Sequence, residues 1–399
     1  MSTPSQRALV VVLSNIRRDP RVQREIDWLT SEGWVVDSLG LGEAPPGVRE
    51  HFRIAELPAW TRSRIGKGLL HALLTNRAKF HLWGSGRFPA AVSDRVRAGE
   101  YELVIVNDIE LLPWIADMHS FTRDVQPHLH LDLHEYFPPS LPKGSLLRFR
   151  VESYFQWTRS FIGHPRVTSR SVVATGIADL YVNELGIPRP GLIRNCPPYE
   201  DLNPGAVDPQ KVELVHHGGA TWVRGLREIV DAMRLLDERF VMTFLLTGSP
   251  EVISELKEYS RDLGDRIRIL PPVPMSQIAQ KINQFDLEIM FYPPVTENLL
   301  LALPNKLFEA IQARLGLVIG ESPMMAEIVA QHENGKIIHG WSANDLAAGV
   351  GSLSAEDVAR MKEASHGQAH EFSAEHERGE FMRVIGIDEA DNGDAPPEA

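Results

Sequence analysis

The 399-residue chain has a single cysteine, Cys196, which excludes an intramolecular disulfide and any zinc site built from clustered thiolates. Long apolar runs are also missing: nothing approaches the ~20 consecutive apolar residues that cross a bilayer. The opening MSTPSQRALVVVLSN lacks the basic-then-apolar layout of a secretory leader, its apolar run being only residues 8–13. Positive charge is outnumbered, with 41 Lys+Arg against 53 Asp+Glu and a formal net charge of −12. Together with the absence of a nucleic-acid-binding motif, that balance argues against a nucleic-acid partner. No G-X-Y or heptad periodicity runs through the chain, which removes collagen-like and coiled-coil readings. GxGxxG after the first strand and GxxxxGK[ST] anywhere are both absent, so a dinucleotide oxidoreductase or a P-loop NTPase is not expected. What remains is a soluble, cytoplasmic globular protein. Its 43% hydrophobic and 24% charged residues exclude wholesale disorder, and its length suggests two domains.

What is present is a recurrence of short apolar runs separated by helix-length segments. Residues 8–13 (ALVVVL), 34–39, 103–107 (LVIVN), 128–133 and 172–175 lie in the first half; 214–216, 241–247 (VMTFLLT), 267–270, 287–292 and 317–320 lie in the second. Continuous Val/Ile/Leu runs suit strands covered on both faces, hence parallel sheets. Residues 20–32, 225–237 and 306–314 carry apolar residues at helical spacing. The pattern predicts an α/β fold of two Rossmann-like, doubly wound parallel-sheet domains, with ligands at the carboxyl ends of the strands. The alternation restarts after Arg194-Asn195-Cys196-Pro197-Pro198, and 199–210 reads as a linker. The expected domains are 1–195 and 196–385, followed by an acidic, disordered tail at 386–399.

Several strand-to-helix turns carry candidate chemistry. After the first strand, Asn15, Arg17, Arg18 and Arg21 flank a helix start marked by Pro20, where N–H groups and guanidinium groups suit an anion, as does a plain solvated loop. Residues 128, 130, 132 and 134 place His, His, Asp and His on one strand face, a weak metal reading set against an ordinary half-buried strand. His134-Glu135, at that strand's end, is the better-placed pair. In the second half, His216-His217-Gly218-Gly219 precedes Arg224; the glycines permit close backbone approach and the arginine offers a fork to phosphate. In Leu303-Pro304-Asn305-Lys306-Leu307-Phe308-Glu309, a lysine in the first helical turn opposes the helix dipole, which an anionic ligand would explain. Glu309 lies one turn on, able to accept from sugar hydroxyls. The turn at Glu321-Ser322-Pro323-Met324-Met325 offers further N–H groups to a diphosphate.

Taken in order, SNIRRDPRV, VND at 106–108, DLHEYFPPS at 132–140, RNCP at 194–197, HHGGATWVRGL, LLTGSPE at 245–251 and LPNKLFEA resemble the GT-B glycosyltransferases, most closely the retaining family numbered four. The resemblance implies a nucleotide diphosphate-sugar donor against the second domain, an acceptor against the first, transfer with retention, and no metal or other cofactor. By it, Glu309 is similar to the second carboxylate of the family's E-x7-E element, and the first falls at Ala302, with Glu297 and Asn298 the nearest polar residues. Arg224 is similar to the family's diphosphate-binding lysine; the partner arginine falls near Gly218, and Lys306 can supply that charge. Gly218 and Gly219, the turns around Gly248 and Val273, and Asn305, Ser322, Met324 and Met325 complete the implied donor site. His134, with Glu135, is similar to the histidine that faces the transferred sugar. Asn15, Arg17, Arg18, Arg21, Asn107 and Asp108 make the acceptor side.

Residues 60–90 hold Arg62, Arg64, Lys67, Arg77, Lys79 and Arg87 with no acidic residue, interleaved with Leu69, Leu70, Leu73, Phe80, Trp83 and Phe88. A second basic stretch spans 143–170. These features suggest peripheral contact with anionic lipid at the inner face of the cell membrane; the competing reading makes Leu69, Leu73 and Trp83 core residues. The acceptor is then a glycan, a lipid-linked or a small molecule, in cell-surface polysaccharide or glycoconjugate synthesis. The alternatives are a nucleotide-sugar epimerase of the same fold, or a catalytically weak protein that binds a nucleotide sugar or a partner.

Overall fold

The computed structural model describes residues 6–116, 126–137 and 148–387, with the side chains of 59, 62, 64–67, 148 and 297 outside the description. Two compact units divide the chain, one of residues 1–193 and 380–399, the other of residues 194–379. The sequence division had not assigned the last helix's end to the first unit.

In the first unit, the strands are β1 (Arg7–Asn15), β2 (Val35–Leu41), β3 (Glu50–Arg53), β4 (Leu103–Val106), β5 (His128–Leu133), β6 (Ser169–Val172) and β7 (Gly191–Leu192). They form one sheet in the order β3-β2-β1-β4-β5-β6-β7, and every pairing is parallel. The second unit holds β8 (Val212–Ala220), β9 (Phe240–Gly248), β10 (Ile267–Leu270), β11 (Leu287–Met290), β12 (Gly316–Gly320) and β13 (Gly335–Ile338), ordered β10-β9-β8-β11-β12-β13, again all parallel. Central strands such as β4, β11 and β12 are buried along their whole length, as residues covered on both faces must be. In each sheet the strand order reverses beside the first strand, between β1 and β4 and between β8 and β11. Those reversals open crevices at the strands' carboxyl ends.

Pro20–Ser31 forms a helix whose start is capped by Asp19 accepting from the Val22 N–H. Leu226–Leu235 and Asn305–Gln312 are helices as expected. The 172–175 run is not the strand: β6 ends at Val172 and a helix begins at Thr175. The strand lies earlier, where Ser169 and Ser171 satisfy polar side chains of β5, so its polarity hid it from an apolar-run search. Residues 199–210 are no free linker, because Tyr199 stacks on His370 at 3.9 Å and Arg314 Nη2 donates to the Glu200 carbonyl at 2.5 Å. The disordered tail expected at 386–399 falls, from residue 388 on, outside the described residues.

Candidate functional site

The second unit's crevice is built on a polar end to an otherwise apolar strand. Within β8, His216 and His217 are both buried. Their rings find different partners because successive side chains point to opposite faces. His216 Nδ1 donates to the Ile289 carbonyl at 2.8 Å, and burial lowers its pKa, so it is neutral. His217 lies between two carboxylates: Nδ1 is 3.0 Å from Glu288 Oε2 and Nε2 is 2.7 Å from Glu309 Oε2. Burial alone would lower the imidazole's pKa, but Glu288 and Glu309 outweigh it and raise it to about 9. Both ring nitrogens therefore carry protons and donate. Glu288 is fully buried in β11 and also accepts from the His217 backbone N–H at 3.2 Å.

Beside this triad, β8 ends in Gly218 and Gly219. Gly218 has φ 120°, a left-handed-side conformation that favours glycine, and a Cβ there would lie 2.0 Å from both Cε and Nζ of Lys306. The Lys306 ammonium thus fills the space that a side chain at 218 would need. Arg224 also reaches this turn, its Nη1 3.3 Å from the Cβ positions of both glycines. Lys306 is only 9% exposed, and its Nζ has no hydrogen-bond partner. Its ammonium sits 5.8 Å from the centre of the Tyr292 ring, and the Arg224 guanidinium 5.9 Å from the same ring. Burial and the Arg224 charge lower the Lys306 pKa to about 8. A buried ammonium without a hydrogen bond, next to a guanidinium and a glycine turn, is the donor set of an anion site.

The structure places Gly218, Gly219, Arg224, Lys306 and Glu309 together. Asn305 opens the helix that carries Lys306. Ser322 turns its hydroxyl to the Leu300 carbonyl at 2.9 Å, and the Met325 side chain is buried in the core, so backbone N–H groups are what this turn has to offer. Met324 is half-buried in the same first turn. Gly248 closes β9 with φ 100°, and Val273 is half-buried in the loop after β10. Glu297 begins a short helix, with its side chain outside the description, while Asn298 has a buried Oδ1 without a partner.

In the first unit, the corresponding strand ends hold a connected acidic and basic cluster. Asp108 accepts from the Leu13 N–H at 2.6 Å, Asn107 donates to Glu25 at 2.8 Å, and Arg21 pairs with Asp132 at 3.3 Å. Burial and the Asp132 charge raise the Glu25 pKa to about 8. His134 is half-buried with its pKa lowered, first by burial and then by Arg21; Glu135 is exposed. Arg17 is exposed, paired with Glu43, and Arg18 is exposed too. Asn15 ends β1 with its side-chain oxygen 2.8 Å from where a Cβ of Gly42 would stand.

On the β5 face, where the sequence set a weak metal reading against an ordinary half-buried strand, the side chains of His128, His130 and Asp132 are engaged by serines of β6. His128 and His130 both bond Ser169, His130 also reaches Ser171 at 3.0 Å, and Asp132 accepts from Ser171 at 2.7 Å. Among the described residues, no group of three or more His, Cys, Asp or Glu could hold a metal. The sequence reading missed Glu288 and the bridging role of His217. A single carboxylate inside the apolar run LEIM was the available signal, since a buried charge requires a partner.

Residues 211–356 match the sequence family described as glycosyl transferases group 1. Sequence comparison with curated proteins gives no match. Among solved structures, a glycosyltransferase from Rickettsia africae ESF-5 superposes with a TM-score of 0.66 at 11% identity, over 96% of this chain and 98% of that one. Sucrose-phosphate synthase from Thermosynechococcus elongatus gives 0.70 at 13% identity, over 95% and 98%. HepE from Anabaena, solved in complex with UDP, gives 0.64 at 12% identity, over 95% and 99%. At such identities these likenesses establish a shared fold, the GT-B fold of two parallel α/β sheets.

Proposed function

We propose, from a fold shared with the GT-B glycosyltransferases and a second unit that matches their group 1 family, that this chain transfers a sugar from a nucleotide diphosphate-sugar to a hydroxylated acceptor with retention of configuration. The observation that carries the reading is the buried, unpartnered Lys306 ammonium beside Arg224 and the Gly218-Gly219 turn. A leaving diphosphate gains negative charge as the glycosidic bond breaks, and fixed cations in a site poor in water stabilise that charge. Lys306 and Arg224 take this role, so the reaction needs no metal. Glu309, fixed by His217, presents its remaining lone pairs to ribose hydroxyls. His134 in the first unit, neutral at pH 7 because burial lowers its pKa, orients sugar hydroxyls without adding charge.

Calorimetry of the purified protein with UDP and with GDP tests this directly. One of the two binds, stabilising the fold by roughly 2.7 kcal/mol at a hundredfold excess over Kd. Arg224→Ala and Lys306→Ala each weaken that binding tenfold or more. A protein that binds neither nucleotide ends the reading. With donor and acceptor together, the product anomer read by NMR matches the donor's, and a chelator leaves the rate unchanged.

Contact with an anionic membrane belongs to the same reading. What supports it is a set of exposed apolar side chains: Trp60 is 58% exposed, Leu69 53%, Leu73 78% and Phe149 64%. Leu69 and Leu73 are therefore not core, whereas Leu70 on the same helix is buried. The helix Arg64–Leu73 packs against the helix Arg148–Arg159, which places these residues on neighbouring elements. Not every basic residue of the two stretches is available: Lys79 is buried, Arg159 pairs with Glu184, and Arg166 and Arg170 donate to backbone carbonyls. Arg62, Arg64 and Lys67 have side chains outside the described set. Flotation with vesicles containing anionic lipid captures the protein, and Leu69→Asp with Leu73→Asp abolishes capture. No helix among the described residues is long and apolar enough to span a membrane.

A further inference from the structure

The first unit contains a cavity of about 650 Å³ that none of the donor-site residues lines. One wall is a run of aromatic rings. His71 packs 4.9 Å from Trp83, Trp83 meets Tyr154 edge-on at 5.4 Å, and Tyr154 lies 6.1 Å from Phe155. Aliphatic side chains Leu13, Leu41 and Leu57 face the same space. Sites that bury most of a small organic molecule have this size and this predominantly apolar lining.

Besides Glu56, which is exposed, and the ring atoms of His71 and Tyr154, the polar side chains of the wall are of two kinds. Arg87 donates through Nε to the Ala55 carbonyl at 2.6 Å and through Nη1 to the Trp83 carbonyl at 2.7 Å, and Thr61 donates to the Pro58 carbonyl at 2.7 Å. Those groups hold backbone, which engages the guanidinium of Arg87, the one arginine among the described lining residues. The other kind lies at the carboxyl end of β1, where Asn15 closes the strand, and past the end of the adjacent β4, where Glu110 lines the cavity. Burial, with the Asp108 charge, raises the Glu110 carboxyl to about 7, so near neutrality it both donates and accepts.

We infer that this cavity receives the apolar part of an amphiphilic acceptor, with the acceptor's hydroxyl-bearing end at Asn15 and Glu110. The apolar share of the lining matches an apolar group better than a chain of hydroxyls, and Arg87 is engaged with backbone carbonyls. The inference deepens the transferase reading, on which the word acceptor rests, while occupancy of the cavity can be measured without any transfer. The apolar part has two possible sources, an alkyl lipid chain or an aromatic aglycone.

The test is calorimetry with three probes: octyl β-glucoside below its micelle-forming concentration, phenyl β-glucoside, and glucose. At least one of the two glucosides binds tenfold or more tightly than glucose. Tighter octyl binding identifies a lipid chain, and tighter phenyl binding an aromatic group. Leu57→Trp, which fills the cavity without removing core packing, and Trp83→Ala, which removes part of the ring wall, both abolish the preference. Binding of UDP or GDP, whichever the wild type takes, stays at the wild-type value in both variants on the same samples and reports separately on the donor site. Glucose binding as tightly as both glucosides overturns the inference, as does glucoside binding that Leu57→Trp leaves intact.

Discussion

Two buried charges of opposite habit share the second unit's crevice, and pH separates them. His217 has a folded pKa of about 9, above the 6.5 of an unfolded chain, because Glu288 and Glu309 outweigh burial. Its stabilising contribution is complete below pH 6.5 and fades as pH rises to 9, amounting to at most about 3 kcal/mol. Lys306 has its pKa lowered from 10.5 to about 8 by burial and Arg224, so its cost to the fold is relieved only as pH climbs from 8 to 10.5. Between pH 6.5 and 8, His217 therefore dominates this pair. Urea titrations across that interval show falling stability in the wild type and a smaller fall in His217→Gln. Gly218 gives a second expectation. Gly218→Ala forces a Cβ against Lys306 at a φ that non-glycine residues avoid, costing about 1–3 kcal/mol. Adding Lys306→Ser recovers part of that stability but not nucleotide binding, since the clash goes and the charge goes with it. Arg224, Lys306 and Glu309 were legible in the sequence from their turn positions. Glu288 was not, because its role exists only through the β8–β11 pairing that sets Glu288 beside Val215.

Among the elements, the apolar strands were legible, edge strand β10 at Ile267–Leu270 included, and the polar or very short ones were not, interior strand β6 included. Runs such as VMTFLLT and LVIG report burial on both faces, which is the physical condition of a central parallel strand. β3, reading EHFR, and β13, reading GKII, lie at sheet edges, and β7 is two residues long. One side of an edge strand pairs with nothing, so composition there is free to be polar. The helix Arg64–Leu73 shows the same limit for an amphipathic segment, where spacing indicates a face but not which face is covered. Leu70 at 8% exposure and Leu73 at 78% settle it. Leu70→Asp accordingly lowers the thermal midpoint by several degrees, whereas Leu73→Asp changes stability by no more than about 0.5 kcal/mol and moves the midpoint by about a degree or two. Equal effects of the two would mean the helix faces the other way.

Across the whole molecule, the helix Ala374–Val384 passes from one unit to the other. Near its start, Glu377 accepts from Arg194 Nε at 2.6 Å, within the second unit. Near its end, Phe381 packs 5.3 Å from Trp28 and 5.9 Å from His130, within the first. Phe381, Met382 and Ile385 are all buried. Truncation after residue 379 is thus expected to leave Trp28 and His130 uncovered, lowering the first unit's thermal midpoint while the second unit's holds; a truncated protein that melts as the full chain does would contradict this. Ribosomal synthesis makes the same feature a matter of order in time. Residues 1–193 leave the ribosome before the second unit, yet the first unit lacks the side chains that close its core until residues 380–385 are made. The second unit, drawing on a contiguous stretch, completes itself sooner. Nascent chains stalled before residue 380 should resist protease in the later-made half first.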